Sequence, residues 1–314
     1  MRKNQNRSEI GKEALKKQIF QRIVLFLLFA ALAGVFIYFI SQRLQEASEK
    51  RSLLRYWEEG SWELAYQKSL EGLEIKPMDT FFLMMNGFAA YQTALAQVSL
   101  SDAMEYIDIC IISLRRVLLD RNTDKDGRIR YVLGKAYYVK GPEYADLSIK
   151  YLEEAKALSF SAGDLNEYLG LAYAALQDYR SSIEAFSASL DPTQNTEESA
   201  LLLLYIAQSY IGLEDWENAR TYLMRCAAVS RDIDLTIRSR LLLGKTLVNS
   251  GNPDGAVEIF ESVLEIGGEN AEALYELGEI YFARDETTRA RALWRRARAA
   301  NPNFAPVLAR LNIM

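Results

Sequence analysis

The residue types that most often carry catalysis and metal binding are sparse in this chain. None of its 314 residues is a histidine. Ser-His-Asp and Cys-His catalysis, histidine-ligated zinc or haem, and a histidine pH switch are therefore excluded from this sequence. The two cysteines, Cys110 and Cys226, are too few for a disulfide framework or a zinc site. We expect both to be small buried side chains.

Carboxylates are the remaining groups with acid–base chemistry. Glu272 and Glu276 lie one turn apart on a predicted helix, and Glu279 follows on the next turn. Two such groups on one face could form a paired acid site. No nucleophile or strongly apolar pocket accompanies them in the sequence, so a solvated helix face is the favoured interpretation. We predict a protein that is not an enzyme, with no catalytic residues and no cofactor.

One segment has the composition of a cation-binding loop. Residues 120–127 alternate oxygen-bearing side chains and end in Gly127, as a calcium loop does around its sharp turn. If the loop starts at Asn122, its twelfth position is Leu133, where calcium needs a bidentate glutamate. The alternative is a polar loop with Asp126 close to the next helix start. We favour the loop and predict no metal site.

The chain begins with a basic N-terminal region. Residues 1–22 carry seven basic and two acidic residues, although Lys and Arg total 37 against 42 Asp and Glu in the whole chain. The rest of the chain is therefore acidic, which does not suit a phosphate backbone. Nucleic acid is not an expected partner.

A single apolar run follows. Residues 23–40 are eighteen residues without a charged side chain, and as a helix they span about 27 Å, close to the ~30 Å hydrocarbon core of a bilayer. We predict a retained membrane anchor. The alternative is a cleaved signal peptide, because Ala31 and Ala33 form an A-x-A site.

Seven basic residues precede the run and four follow it closely, which predicts a cytoplasmic N-terminus and a translocated C-terminal part. The inverted topology is the other alternative.

The remaining sequence is helical and repetitive. Apolar residues recur at three- and four-residue spacing from about Leu44 onward. Small residues recur twelve positions apart in four consecutive units, and an aromatic or leucine follows the second one after four more residues. The units are Gly170, Ser182 and Phe186; Ala207, Ala219 and Leu223; Gly244, Ala256 and Phe260; and Gly278, Ala290 and Trp294.

This pattern resembles the tetratricopeptide repeat family, whose unit is a 34-residue helix–turn–helix. Earlier units are looser: Gly134 and Leu152 fit with two inserted residues, and Gly87 fits with Ala103 after about four extra residues. Tyr56, Gly60 and Trp62 match a first unit. The expected fold is all-α, a right-handed superhelical solenoid of six or seven repeats behind one transmembrane helix. The expected boundaries are a cytoplasmic tail at 1–22, the anchor at 23–40, a juxtamembrane helix at 41–52, the solenoid at 53–302 and a capping helix at 303–314.

The resemblance implies binding of proteins or peptides, and it implies no reaction. In this family the first helix of each pair lines the concave surface, and the tyrosines and charges expected there suit a binding groove. The expected partner-binding residues are Arg128, Tyr131, Lys135, Tyr138, Glu167, Tyr168, Tyr205, Gln208, Arg238, Lys245, Tyr275 and Glu279. For any single tyrosine, packing between repeats is the alternative role.

These inferences lead to two hypotheses of function. The first is a scaffold in the bacterial inner membrane whose repeats lie in the periplasm and serve an envelope assembly, such as secretion, outer-membrane, cell-wall or flagellar machinery. The second is a membrane-tethered periplasmic chaperone for exported proteins. A chaperone groove is expected to be Met- or Leu-rich and adaptable, whereas a scaffold is expected to use aromatic and charged anchors. The tyrosines favour the scaffold.

Overall fold

The computed structural model describes residues 2–120, 123, 125–190 and 196–313, and the chain divides into two compact units. The first unit extends to Val117. It contains α1 (Arg2–Glu58), α2 (Trp62–Ile75), α3 (Thr80–Ala96) and α4 (Leu100–Val117). One helix, α1, thus includes the predicted anchor and continues through residues 41–52 into the first repeat.

The second unit begins at Leu118 and contains eleven α-helices within its described residues. They are α5 (Gly127–Lys140), α6 (Ala145–Ala157), α7 (Leu165–Ala175), α8 (Tyr179–Ser189), α9 (Glu197–Gly212), α10 (Trp216–Val229), α11 (Ile233–Asn249), α12 (Pro253–Gly267), α13 (Ala271–Ala283), α14 (Thr287–Ala300) and α15 (Ala305–Ile313). A short 3-10 helix, Pro142–Tyr144, joins α5 to α6. No strand occurs among the residues that the structure describes.

Successive helices pack as pairs across short turns. In the first unit α1 pairs with α2 and α3 with α4; in the second, α5 to α14 form five further pairs. The all-α repeat architecture expected from the sequence is confirmed. Val307 on α15 is fully buried against the last pairs, and Phe304 and Leu311 pack beside it.

The predicted contacts of small residues fall where paired helices approach most closely. A Cβ atom on Gly244 would lie 2.5 Å from the Phe260 ring, and Ala256 is fully buried. Ser182 Oγ donates a hydrogen bond of 2.9 Å to the carbonyl of Gly170. Ser148 Oγ donates the same bond to Gly134 at 2.8 Å, which agrees with the two inserted residues expected in that pair.

The pair α3–α4 departs from the spacing that the sequence suggested. A Cβ on Gly87 would lie 2.5 Å from Leu114 and 3.3 Å from the carbonyl oxygen of Cys110, so the helices cross there and not at Ala103. The reason is helix length. With 17 and 18 residues, α3 and α4 extend well beyond the crossing point, which adds about two turns to the separation in sequence.

Five of the seven turns inside the pairs share one geometry. Gly60, Gln177, Glu214, Gly251 and Asp285 have φ between 58° and 82°. In each turn the next residue donates its backbone N–H to the carbonyl of the residue five positions before it, as Asp178 does to Tyr173 at 3.0 Å and Asn252 does to Leu247 at 2.8 Å. This bond satisfies a carbonyl that the helix end leaves without a partner.

Residues 27–40 of α1 contribute nothing to the core. The stretch is apolar on all sides and its large side chains are exposed, as Phe36 is at 66%. Leu27–Glu58 is the only part of the described chain that is long and apolar enough to cross a membrane, and a signal sequence would pass the same test.

Candidate functional site

The first helices of successive pairs adjoin one another in the second unit. Contacts link α5 to α7, α7 to α9, α9 to α11, and α11 to α13. We call the surface that they form the first-helix face. All twelve residues expected to bind partners lie on these five helices.

Five side chains converge where α5 meets α7: Tyr131, Lys135, Tyr138, Asp164 and Tyr168, which together we call the Lys135 cluster. The Lys135 ammonium donates to Asp164 Oδ2 at 2.8 Å and to the Tyr131 hydroxyl at 3.1 Å. It also lies 4.5 Å from the centre of the Tyr168 ring. The Tyr131 hydroxyl donates to the other oxygen of Asp164.

Rings continue the Lys135 cluster toward α9. Tyr138 meets Tyr168 edge to face with ring centres 5.4 Å apart, and Tyr205 stacks on Phe186 at 5.3 Å. The side chains of Tyr138, Tyr168 and Tyr205 are all partly exposed. The aromatic surface is therefore held by contacts within the protein and still reaches solvent.

The electrostatics of the Lys135 cluster follow from partial burial beside fixed charges. Burial raises the pKa of Tyr131 to about 12, with the Asp164 carboxylate adding to the shift. Burial alone would lower the pKa of Lys135, but its bonds to Asp164 and Tyr131 outweigh this and hold the pKa above its usual value. Burial also raises the pKa of Glu167, and the charge of Asp164 adds to it.

Asp164 is the member of this cluster that sequence reasoning missed. It occupies the N-cap position of α7, yet its side chain makes no capping bond there. Asp79, Asp126, Asp178 and Asp215, by contrast, each accept a backbone N–H at the start of their own helix. The available signal was a carboxylate 29 residues after Lys135, because Lys50 and Asp79 are paired at the same separation in the first unit.

A second polar group lies where α11 meets α13. The Lys245 ammonium is 2.5 Å from Glu272 and 3.6 Å from Glu276. These two glutamates therefore share a cation, and burial raises the pKa of Glu276. No group of three or more possible metal ligands occurs among the described residues.

The C-terminal helix covers the end of this second group. Glu279 accepts two bonds from the Arg310 guanidinium of α15, at 2.7 and 2.5 Å. Tyr275 meets Phe304 edge to face at 5.8 Å. Both residues were expected to bind a partner, and in the structure both contact the chain's own C-terminal segment.

The remaining expected residues lie outside these two groups. Arg128 is exposed and its guanidinium binds Asp126, which also caps α5. Gln208 is partly buried on α9, and Arg238 is exposed near the start of α11. Of the segment with calcium-loop composition, residues 121, 122 and 124 lie outside the described residues. Both cysteines are free and buried, as expected.

Parts of this chain and its fold are similar to known proteins. Residues 247–311 and 202–229 match two family models described as tetratricopeptide repeat. No curated protein matches the sequence. The C-terminal part of a TPR repeat-containing protein from Cytophaga hutchinsonii has a similar structure, with a TM-score of 0.62, 14% identity, and coverage of 83% of this chain and 98% of that one.

Two further structures are more distant. YrrB, described as a TPR protein with an unusual peptide-binding site, gives a TM-score of 0.48 at 18% identity over 63% of this chain and 97% of its own. PilF of Pseudomonas aeruginosa gives 0.49 at 17% identity over 74% and 96%. Two parts of the chain thus match tetratricopeptide repeat models, and its fold is built from tetratricopeptide-like helix pairs, as in the Cytophaga structure.

Proposed function

We propose that this protein is a non-enzymatic scaffold that binds protein partners through the first-helix face. The observation that carries this proposal is the Lys135 cluster. Its rings and its cation are fixed by contacts inside the protein, so little side-chain freedom is lost when a partner binds. Tyr138, Tyr168 and Tyr205 are partly exposed in this arrangement and offer apolar contact area and hydroxyl groups to one ligand.

The proposed partner-binding surface keeps the residues expected from the sequence and adds Asp164. Its centre is the Lys135 cluster with Glu167 and Tyr205, and Gln208, Arg238 and Lys245 extend it along the first-helix face. Tyr275 and Glu279 would form its C-terminal border beside α15, and Arg128 its N-terminal border. This surface has fixed aromatic and charged anchors, which supports the scaffold over the chaperone.

The proposed location is the bacterial inner membrane. Residues 23–40 would cross it, with 1–22 in the cytoplasm and the helix pairs in the periplasm, where they would serve an envelope assembly. The apolar surface of α1 on all sides supports the anchor, and the basic N-terminal tail supports the orientation. The proposed division into juxtamembrane helix, solenoid and cap follows the sequence boundaries given above.

In vivo crosslinking of the full-length protein, followed by detergent extraction and mass spectrometry, tests this role. A few stoichiometric components of one envelope machine are the expected result. A broad, substoichiometric set of unrelated exported proteins would instead identify the tethered chaperone.

The binding surface has a separate test. Replacement of Tyr131, Lys135 and Tyr168 by alanine is expected to abolish most partner capture while helicity is retained. Lys150→Ala with Tyr151→Phe is the matched control, because these residues lie on α6, the second helix of the same pair. Unchanged capture by the triple variant would exclude the Lys135 cluster as the site.

A further inference from the structure

The end of α2 returns to the part of α1 that adjoins the apolar run. The turn at Gly60 reverses the chain, and α2 packs back along α1. At its end the Lys76 ammonium lies 2.5 Å from Glu46. Lys50 binds both Glu46, at 2.9 Å, and Asp79, at 3.1 Å. Because Asp79 caps α3, the start of α3 and the end of α2 lie beside the same part of α1.

A crevice of about 400 Å³ opens between these helices. Tyr38, Phe39 and Arg43 line it from α1, and Ile75 and Lys76 line it from the end of α2. Two apolar residues at this end are mostly exposed: Ile75 is 64% exposed and Met78 is 60% exposed. Glu46 and Glu49 also line the crevice, so the end of the α1–α2 hairpin combines aromatic, apolar and charged groups of both signs.

The continuous helix α1 fixes where a bilayer would meet this crevice. Glu46 lies six residues beyond Ile40, a rise of about 9 Å. The headgroup layer adds about 5–8 Å to each side of the hydrocarbon core. Tyr38 and Phe39 would therefore lie where the hydrocarbon core meets the headgroup layer, which favours aromatic side chains, and Ile75, Lys76 and Met78 would lie at the outer border of that layer.

We infer that the end of the α1–α2 hairpin docks on the bilayer surface, which covers Ile75 and Met78 and fills the crevice with phospholipid. Arg43 binds a lipid phosphate group, and the two apolar side chains insert among the headgroups. The inference rests on the proposed membrane anchoring by residues 23–40. Its consequence is a second membrane contact, which stops the first unit from swinging about α1.

A fluorescent label tests this docking in the full-length protein. Cys110 and Cys226 are fully buried, so an environment-sensitive dye attaches to an introduced cysteine. The variants Ile75→Cys and Met78→Cys carry the dye at the proposed contact. Leu64→Cys is the matched control, because Leu64 is 52% exposed on the same helix but about 16 Å farther from the bilayer. Phe36→Cys places the dye inside the proposed anchor.

The labelled proteins are reconstituted in vesicles of phosphatidylethanolamine and phosphatidylglycerol, with and without a lipid that carries a nitroxide quencher near its headgroup. Blue-shifted, strongly quenched fluorescence at positions 36, 75 and 78, with none at 64, is the expected result. Quenching at 36 without quenching at 75 and 78 overturns the docking and leaves the anchor intact. No quenching at 36 overturns the anchor and the docking with it.

Discussion

At the residue scale, the closest approach of paired helices falls on residues with little or no side chain. Gly278 faces the Trp294 ring so closely that a Cβ atom there has no room, and Trp294 is fully buried. We expect Gly278→Leu to force this pair apart and to lower the free energy of unfolding by roughly 1–3 kcal/mol. Urea denaturation monitored by circular dichroism measures this loss of unfolding free energy. Gly163→Leu is the control, since a Cβ at Gly163 meets nothing within 4 Å.

A second prediction at this scale concerns backbone conformation alone. Gly251 has φ of 82°, and a Cβ atom there would also meet nothing within 4 Å. Any cost of Gly251→Ala therefore comes from the left-handed backbone, which disfavours an L side chain by about 1–2 kcal/mol. We expect a loss of about 1 kcal/mol in unfolding free energy. An effect equal to that of Gly163→Ala would show that the turn does not need this conformation.

At the element scale, ion pairs join neighbouring helices, and the one between α1 and the end of α2 gives a pH prediction. Hydrogen bonds from Lys76 and Lys50 lower the pKa of Glu46 to about 2, against 4.5 for a free glutamate. Because the folded pKa is the lower one, this carboxylate stabilises the fold above about pH 4.5, and the contribution is lost as pH falls toward 2.

The test compares the wild-type protein with Glu46→Gln in detergent micelles, by denaturation at several pH values. The wild type is expected to be the more stable at pH 7, and the difference is expected to shrink between about pH 4.5 and 2. Added salt should also reduce it, because Glu46 and Lys76 are partly exposed. A difference that is constant with pH would show that the charge of Glu46 does not hold the α1–α2 hairpin.

The element scale also shows what the sequence could and could not predict. Twelve-residue spacing of small residues identified the helix pairs because that contact lies within one local helix–turn–helix, as at Gly244 and Ala256. The partner of Lys135 was missed because Asp164 lies beyond a whole intervening helix, at a separation that depends on how successive pairs stack. The crossing at Gly87 was misplaced for a related reason, since apolar spacing does not reveal that α3 and α4 extend past it.

The sequence pattern also does not show which first-helix residues contact the chain's own C-terminal segment. Tyr275 and Glu279 occupy first-helix positions as Tyr131 and Lys135 do, but Phe304 and Arg310 contact them. A terminal pair has no following pair to cover it, so its first helix is available to the C-terminal segment. The position of a residue in the repeat therefore indicates whether it lies on the first-helix face. Contact with the C-terminal segment shows which part of that face the chain itself covers.

At the scale of the whole molecule, the proposed anchor and the helix pairs should be separable. The large side chains of residues 27–40 are exposed, and the buried core of the first unit begins beyond them, at Leu53. Deletion of residues 1–40 therefore removes the exposed apolar surface of residues 27–40, which lies outside that core. We expect a soluble, fully helical fragment whose urea midpoint matches that of the full-length protein in detergent micelles.

The same fragment distinguishes an independent anchor from one that packs on the repeats. Sedimentation of vesicles with the fragment should recover little protein, and the full-length chain should remain with the lipid after a carbonate wash, because only a membrane-spanning helix resists it. An insoluble fragment, or one with a much lower urea midpoint, would mean that residues 27–40 pack against the helix pairs. Their apolar surface would then belong to the fold and not to the bilayer, and the exposure of Phe36 would have to be explained by a protein contact.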